Sequence, residues 1–291
     1  MTGNGRCLLL FMHIPKAAGT TLHRIIERQY RPFDIISIHG EKGIQRARKL
    51  PESVRAKMQV AKGHMTFGAH TCFPQPAAYF TLLRHPVSRA ISHYQCALRR
   101  GRGHLYDTLK ANHMDLDACL RGGHALDLEN LQTKWLTGLF PESETDPSVF
   151  RSQEAEKLTE ARQNLREHFL VVGLSERFDE TLLILKKQFG WKHVFYTRLN
   201  VAPHRTGPEP ISDETRLLIE RCNQLDMALY HDAQGRFEKT VAEQGPSFQK
   251  EVEEFRHLNQ RYERLYRIWA IYSRWTQKTV DWLRLATTLL R

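Results

Sequence analysis

Short apolar runs alternate with longer stretches of helical periodicity along most of the chain. Residues 7–13, 34–38, 58–61, 78–83, 169–172 and 194–197 read as strands. Several of these runs hold almost no polar residue, as strands covered on both faces require. Periodicity near 3.6 predicts helices over 20–29, 86–99, 126–136, 153–167, 176–189 and 213–232. Pro86 suits the first turn of its helix, where no backbone donor is lost. Strand alternating with helix is the pattern of an α/β fold, a parallel sheet with crossover helices. The polar stretches FPESETDP (140–147) and HRTGPEP (204–210) read as exposed loops.

After Gly245-Pro246 the pattern changes to a long helical stretch, with Phe255, Tyr262, Trp269, Trp275 and Trp282 set among Arg and Lys. The chain is therefore expected to divide into residues 1–245 and a basic, aromatic C-terminal helical extension, 246–291. The simplest role for that extension is to pack its aromatics on the rest of the chain. The functional alternatives are a membrane-surface contact, which basic residues beside tryptophans suit, and self-association.

Composition narrows the class. With 291 residues and 41% hydrophobic content the chain can fill a large core, which excludes a disordered protein or a minimal disulfide scaffold. The five cysteines are odd in number and never form a CxxC pair, so neither a disulfide framework nor a zinc site is expected. The N-terminal apolar run of about seven residues is too short for a signal h-region or a membrane span, and a cytoplasmic location is expected.

Net charge is +11, and its distribution says more than its sum. Residues 1–110 hold 18 basic and 5 acidic side chains (+13), residues 111–245 hold 16 and 22 (−6), and residues 246–291 hold 9 and 5 (+4). The basic first third has no zinc-finger spacing, no aromatic RNA-reading run and no basic helix, so no nucleic-acid partner is expected. A small, multiply charged anion fits better.

The sharpest local feature is CLLLFMHIPKAAGTTL (7–22), a strand running through a tight turn into a helix. Such a turn aims backbone N–H groups and a positive helix end at one point. Lys16 adds an ammonium, Gly19 is expected to allow close backbone approach, and Thr20 and Thr21 offer hydroxyl donors. A Walker loop would place lysine directly after its second glycine. Here Lys16 precedes Gly19 by three residues, which disfavours an NTPase or kinase. A second element, YFTLLRHPVSRAISHY (79–94), ends a strand at Arg84 and sets Ser92 eight residues further on, about two turns into a helix. Both could reach one phosphate, the arginine through a bidentate fork.

Together, HIPKAAGTTL and LLRHPVSRAISHY resemble the two nucleotide motifs of sulfotransferases that use 3′-phosphoadenosine 5′-phosphosulfate (PAPS), with affinity to the branch acting on glycan uronyl residues. The resemblance implies a P-loop-like parallel sheet flanked by helices and PAPS as co-substrate, with no metal required. It places Lys16, Ala17, Ala18, Gly19, Thr20 and Thr21 at the 5′-phosphosulfate, and Arg84 and Ser92 at the 3′-phosphate. The sequence departs from the pattern at His85, where an acidic residue usually follows the arginine. Weaker similarity continues through 128–134, 171–180 and 199–201.

Sulfuryl transfer to an alcohol needs a base for the hydroxyl and a positive group at the leaving phosphate oxygen. Lys16 is the candidate for the second role. His64 is the candidate base: MQVAKGHMTFG (58–68) reads as a strand emptying into a glycine-bracketed loop, and it resembles the GH-x-x-F segment carrying the base in uronyl sulfotransferases. Lys62 is expected to assist, His13 and His70 are rivals, and Glu27 lies too far along its helix. Asn130 and Gln132 lie on a helix that resembles a family segment near the nucleotide, but read first as solvated helix residues, and Ser175 reads as a helix cap. The expected reaction is sulfuryl transfer from PAPS to a hydroxyl, most readily on a carbohydrate. The alternatives are a kinase-like P-loop enzyme and a non-catalytic nucleotide or polyanion binder on the same fold.

Overall fold

Five parallel strands form one sheet in the order β2-β3-β1-β4-β5, with β1 Leu8–Met12, β2 Ile35–His39, β3 Val60–His64, β4 Ala77–Leu83 and β5 Phe169–Leu174. They belong to a computed structural model that describes residues 7–124, 126–140, 147–197 and 211–289, with the side chains of 147–149 and 271–289 left aside. Thirteen helices accompany them among the described residues. They are α1 Gly19–Glu27, α2 Gly40–Lys49, α3 Glu52–Arg55, α4 Pro86–Arg100, α5 His104–Ala111, α6 Leu116–Arg121 and α7 Leu131–Leu136, followed by α8 Pro147–Ser152, α9 Glu154–His168, α10 Phe178–Phe189, α11 Asp213–Arg221, α12 Gln224–Glu243 and α13 Phe248–Leu289.

The strand order follows from burial. β1 is covered on both faces, with Leu8, Leu10, Phe11 and Met12 buried, and it pairs with β3 and β4 in parallel register. β2, at the edge, is more exposed. Because the chain steps outward from β1 to β2 and then from β3 back across to β4, the order reverses at β1, the position where α/β sheets open a crevice beyond their carboxyl ends.

Three expected elements differ. Residues 194–197 form no strand: the Tyr196 N–H donates to Asn259 Oδ1 on α13 and the Phe195 carbonyl accepts from Arg28, the residue that closes α1, so both groups are spent outside the sheet. The expected helix 126–136 is reduced to α7, because Asn130 takes a left-handed conformation (φ 48°) and its side chain accepts from the N–H groups of Leu225 and Asp226. The expected helix 213–232 is split into α11 and α12 at Asn223, whose Oδ1 accepts from the Asn130 N–H and whose Nδ2 donates to the Ile219 carbonyl. Ser175 caps no helix; its hydroxyl bonds Glu176. Helices α2, α5 and α6 arise where no helix was expected. The expected loops fall, but for Phe140 and Pro147, outside the described residues, as does 199–201.

Gly245, at φ 87°, separates α12 from α13. Phe248, Val252 and Phe255 at the start of α13 nevertheless belong to the main core, and Phe255 stacks on Phe195 at 5.6 Å. Further along, Leu265, Ile268 and Trp269 are exposed. Among the described residues no helix is long and apolar enough to cross a membrane.

Candidate active site

A cavity of about 1110 Å³ opens over the carboxyl edge of the sheet. Each strand delivers side chains to it: His39 at the end of β2, His64 at the end of β3, His13 and Lys16 after β1, Arg84 after β4, and Glu176 after β5.

The loop after β1 is unusual for residues other than glycine. Lys16 (φ 70°) and Ala18 (φ 59°) are both left-handed, which turns the chain sharply into α1. Lys16, Ala18, Gly19, Thr20 and Thr21 line the cavity. Ala17 is the expected loop residue that does not: it is buried, and its N–H bonds the Ile14 carbonyl. Gly19 is needed for a different reason from the one expected. A Cβ there would lie 1.9 Å from the His13 ring, so the absent side chain makes room for an imidazole.

The two motifs meet at Arg84. Its Nη1 donates to the Lys16 carbonyl at 2.9 Å, and its backbone is bracketed by Gln132, which accepts from the Arg84 N–H and donates to the Arg84 carbonyl. Gln132 is fully buried, not solvated. Its own helix start is held by Asp226, which accepts from the N–H groups of Gln132 and Thr133. Ser92, two turns into α4, faces the same cavity. His85 does not leave Arg84 without a carboxylate. Glu176 accepts from the His85 N–H and the Tyr230 hydroxyl, and its charge favours the Arg84 guanidinium, partly offsetting the effect of burial.

His64 has a fixed tautomer. Its Nδ1 lies 2.9 Å from the His13 carbonyl oxygen, which can only accept, so Nδ1 carries the proton and Nε2 keeps a lone pair. Burial lowers its pKa below the ordinary 6.5 and exceeds the opposing effect of that hydrogen bond, with further lowering by His39 and Arg100. The neutral imidazole is therefore the form present at pH 7. Trp135 meets its ring edge-on at 5.8 Å and His13 stacks on it at 4.4 Å.

Behind His64 runs a polar chain that passes through buried His13 and Lys62 and ends at exposed Glu27. His13 Nδ1 is 2.9 Å from His23 Nε2, His23 Nδ1 is 3.2 Å from Lys62 Nζ, and Lys62 donates to Glu27 at 2.9 Å. An ammonium only donates, so His23 Nδ1 accepts, His23 Nε2–H donates to His13 Nδ1, and the remaining proton of His13 sits on Nε2 beside the loop. Burial holds His13 well below 6.5 and brings His23 to about 3. Lys62 thus serves the structure beneath the site, not the cavity. Of the other candidates, His70 lies outside the cavity, bonded to the Tyr79 hydroxyl, and Glu27 is the partner of Lys62.

Sequence reasoning missed Glu176 and Gln132. Glu176 follows a strand end at the same edge as Arg84, a positional signal available without the structure. Gln132 gave only a faint one, the resemblance of its helix to a family segment near the nucleotide, and the tertiary fold is what brings it under Arg84. Among the described residues no group of three or more His, Cys, Asp or Glu is arranged to hold a metal.

The sheet order, the loop after β1 and the arginine after β4 agree with what the chain resembles as a whole. No individual curated protein matches it. A sequence profile described as galactose-3-O-sulfotransferase matches residues 4–268, which spans the sheet, the cavity and the first half of α13. The chain therefore belongs to the galactose-3-O-sulfotransferase family, and it is a sulfotransferase of the kind that acts on carbohydrates.

Proposed function

We propose that the chain transfers the sulfuryl group of PAPS to a saccharide hydroxyl by in-line displacement, with His64 as the base and Lys16 at the leaving phosphate. The observation that carries this reading is the bond from His64 Nδ1–H to the His13 carbonyl, which presents an unprotonated Nε2 in the same cavity as Lys16 and Arg84. The donor's phosphosulfate suits the loop of Lys16, Ala18, Gly19, Thr20 and Thr21, where the N-terminus of α1 and the Lys16 ammonium favour negative charge. The 3′-phosphate suits the free part of the Arg84 fork and Ser92.

In the chemical step the acceptor oxygen forms a bond to sulfur while the bond from sulfur to the bridging phosphate oxygen breaks. The electron pair leaves with 3′-phosphoadenosine 5′-phosphate (PAP), and the hydroxyl proton passes to His64 Nε2. Lys16 stabilises charge where it develops, on the leaving oxygen. Residues 1–245 carry these groups. The 246–291 extension contributes Arg256, which lines the cavity and is tied to Asp179 at 3.1 Å. A reducing, cytoplasmic setting belongs to the same reading, supported by five cysteines that are all free.

Calorimetric titration with PAP and with ADP tests the donor assignment. PAP is expected to bind at least about tenfold more tightly, and equal affinities would remove Arg84 and Ser92 from the 3′-phosphate. Labelled-sulfate transfer tests the base: His64→Ala is expected to lower turnover by about 10²-fold or more, and unchanged turnover at saturating acceptor rejects it.

A further inference from the structure

Three arginines on one wall of the cavity are not used by this chemistry. Arg99 and Arg100 end α4, and Arg102 follows after Gly101, whose left-handed φ of 59° closes the helix. All three are exposed and all line the cavity that holds His64. None of them has a carboxylate partner among the described residues, whereas Arg121, Arg151, Arg162, Arg177 and Arg256 are each paired with one. The cavity's carboxylates are engaged elsewhere. Asp127 is met by His104 at 3.3 Å, Asp179 by Arg256, and Glu176 by Tyr230.

Cations in the last turn of a helix also complement its dipole, which would explain Arg99 and Arg100 without a ligand. That account does not extend to Arg102, which lies beyond the cap, and it does not require all three to face one cavity. Nor does the donor's 3′-phosphate explain them. Ser92 lies eight residues before Arg100, a rise of about 12 Å along α4. Instead all three share one cavity with His64, and Arg100 adds to the charge that disfavours His64 protonation. The cation wall therefore faces the space through which the hydroxyl to be sulfated must approach the proposed base.

We infer that Arg99, Arg100 and Arg102 form an anion subsite for the acceptor, so that the preferred substrate is a saccharide bearing a carboxylate or sulfate ester next to the ring that receives the sulfuryl group. This inference rests on the proposed reaction at the same cavity. Guanidinium groups suit both anions, because a planar fork pairs two donors with two oxygens. The subsite would also raise the encounter rate with acidic glycans in a salt-dependent way.

The test uses the full chain and three saccharides: a neutral galactose-terminated disaccharide, the same disaccharide with a uronic carboxylate on the neighbouring ring, and the same with a sulfate ester there. Calorimetric titration into protein saturated with PAP is expected to show at least one charged saccharide bound about 10- to 100-fold more tightly than the neutral one. The stronger of the two identifies the anion. That advantage is expected to disappear in the triple variant Arg99→Gln, Arg100→Gln, Arg102→Gln, while PAP affinity is retained and reports an intact fold. Equal affinity for charged and neutral saccharides, absence of measurable binding by either charged one, or an advantage that survives the triple variant overturns the inference. A parallel loss of PAP affinity in the variant also overturns it, by assigning the arginines to the donor. Failure of the wild type to bind PAP refutes the proposed function instead, and titration of the saccharides into the free protein then still decides the role of the arginines.

Discussion

The two walls of the cavity are built on opposite plans. On the proposed donor side the groups that frame the site are cross-linked: Arg84 to the Lys16 carbonyl and Gln132, Glu176 to His85 and Tyr230, Gln132 to Asp226. On the proposed acceptor side Arg99, Arg100 and Arg102 have no carboxylate partner among the described residues. Cross-linking by buried hydrogen bonds fixes geometry before the ligand arrives, which suits a donor that is the same in every turnover. Unpaired arginines on an exposed rim keep their rotamer freedom, at an entropic cost on binding, and suit an acceptor whose shape varies.

Four substitutions or conditions probe that contrast. The largest effect is expected from Lys16→Ala, about 10²- to 10³-fold in turnover with a smaller change in PAP affinity, measured by labelled-sulfate transfer beside calorimetry. A loss confined to affinity would make Lys16 a binding residue only. Arg84→Ala should weaken PAP about 10- to 100-fold and should also loosen the first loop, since it removes the bond to the Lys16 carbonyl.

A third test varies pH. Turnover is expected to fall on the acid side with a midpoint below 6.5, because the proposed base is the neutral form of His64. Stability should fall in the same direction. The folded-state pKa values of His13, His23 (about 3) and His93 (about 4) are all depressed, so the unfolded chain binds more protons below pH 6.5. Their contribution is full above pH 6.5 and is lost as pH falls toward 3 to 4, with a slope of up to about 1.4 kcal/mol per pH unit for each group. Urea midpoints between pH 7 and 4 measure this, and a flat profile would contradict the burial of the three rings. The smallest effect is expected from Glu176→Gln, less than about tenfold in PAP affinity, because the amide oxygen can still accept from the His85 N–H while its NH2 donates to the Tyr230 hydroxyl oxygen, so that the main loss is the charge opposite Arg84.

That the loop after β1 and the arginine at the end of β4 belong to one site was largely legible in the sequence, because both are local features with their own residue pattern, and they do meet at one cavity. The central strands were legible for the same reason: β1 and β4 are continuous apolar runs. What the sequence concealed is tertiary. Asn130 and Asn223 look like helix residues, yet each exchanges its helical role for hydrogen bonds to the other's segment, and two expected helices are cut as a result. Residues 194–197 have strand composition, but their donors and acceptors are claimed by α13 and by the residue that closes α1. Lys62 follows the same logic. Its place two residues before His64 suggested a role in the site, and only the packing of α1 against β3 shows that Glu27 and His23 hold it underneath.

The chain from Glu27 through Lys62, His23 and His13 looks like a conduit leading away from His64, yet among the described residues no hydrogen bond hands it a proton from that ring. Lys62 donates outward to Glu27 and inward to His23, His23 donates on to His13, and the hydrogen bond from His64 ends on the His13 carbonyl oxygen, which has no proton to pass on. With His64 as the proposed base, the proton it collects returns to solvent through the mouth of the cavity, by the route the products take, and resetting the base becomes part of emptying the site.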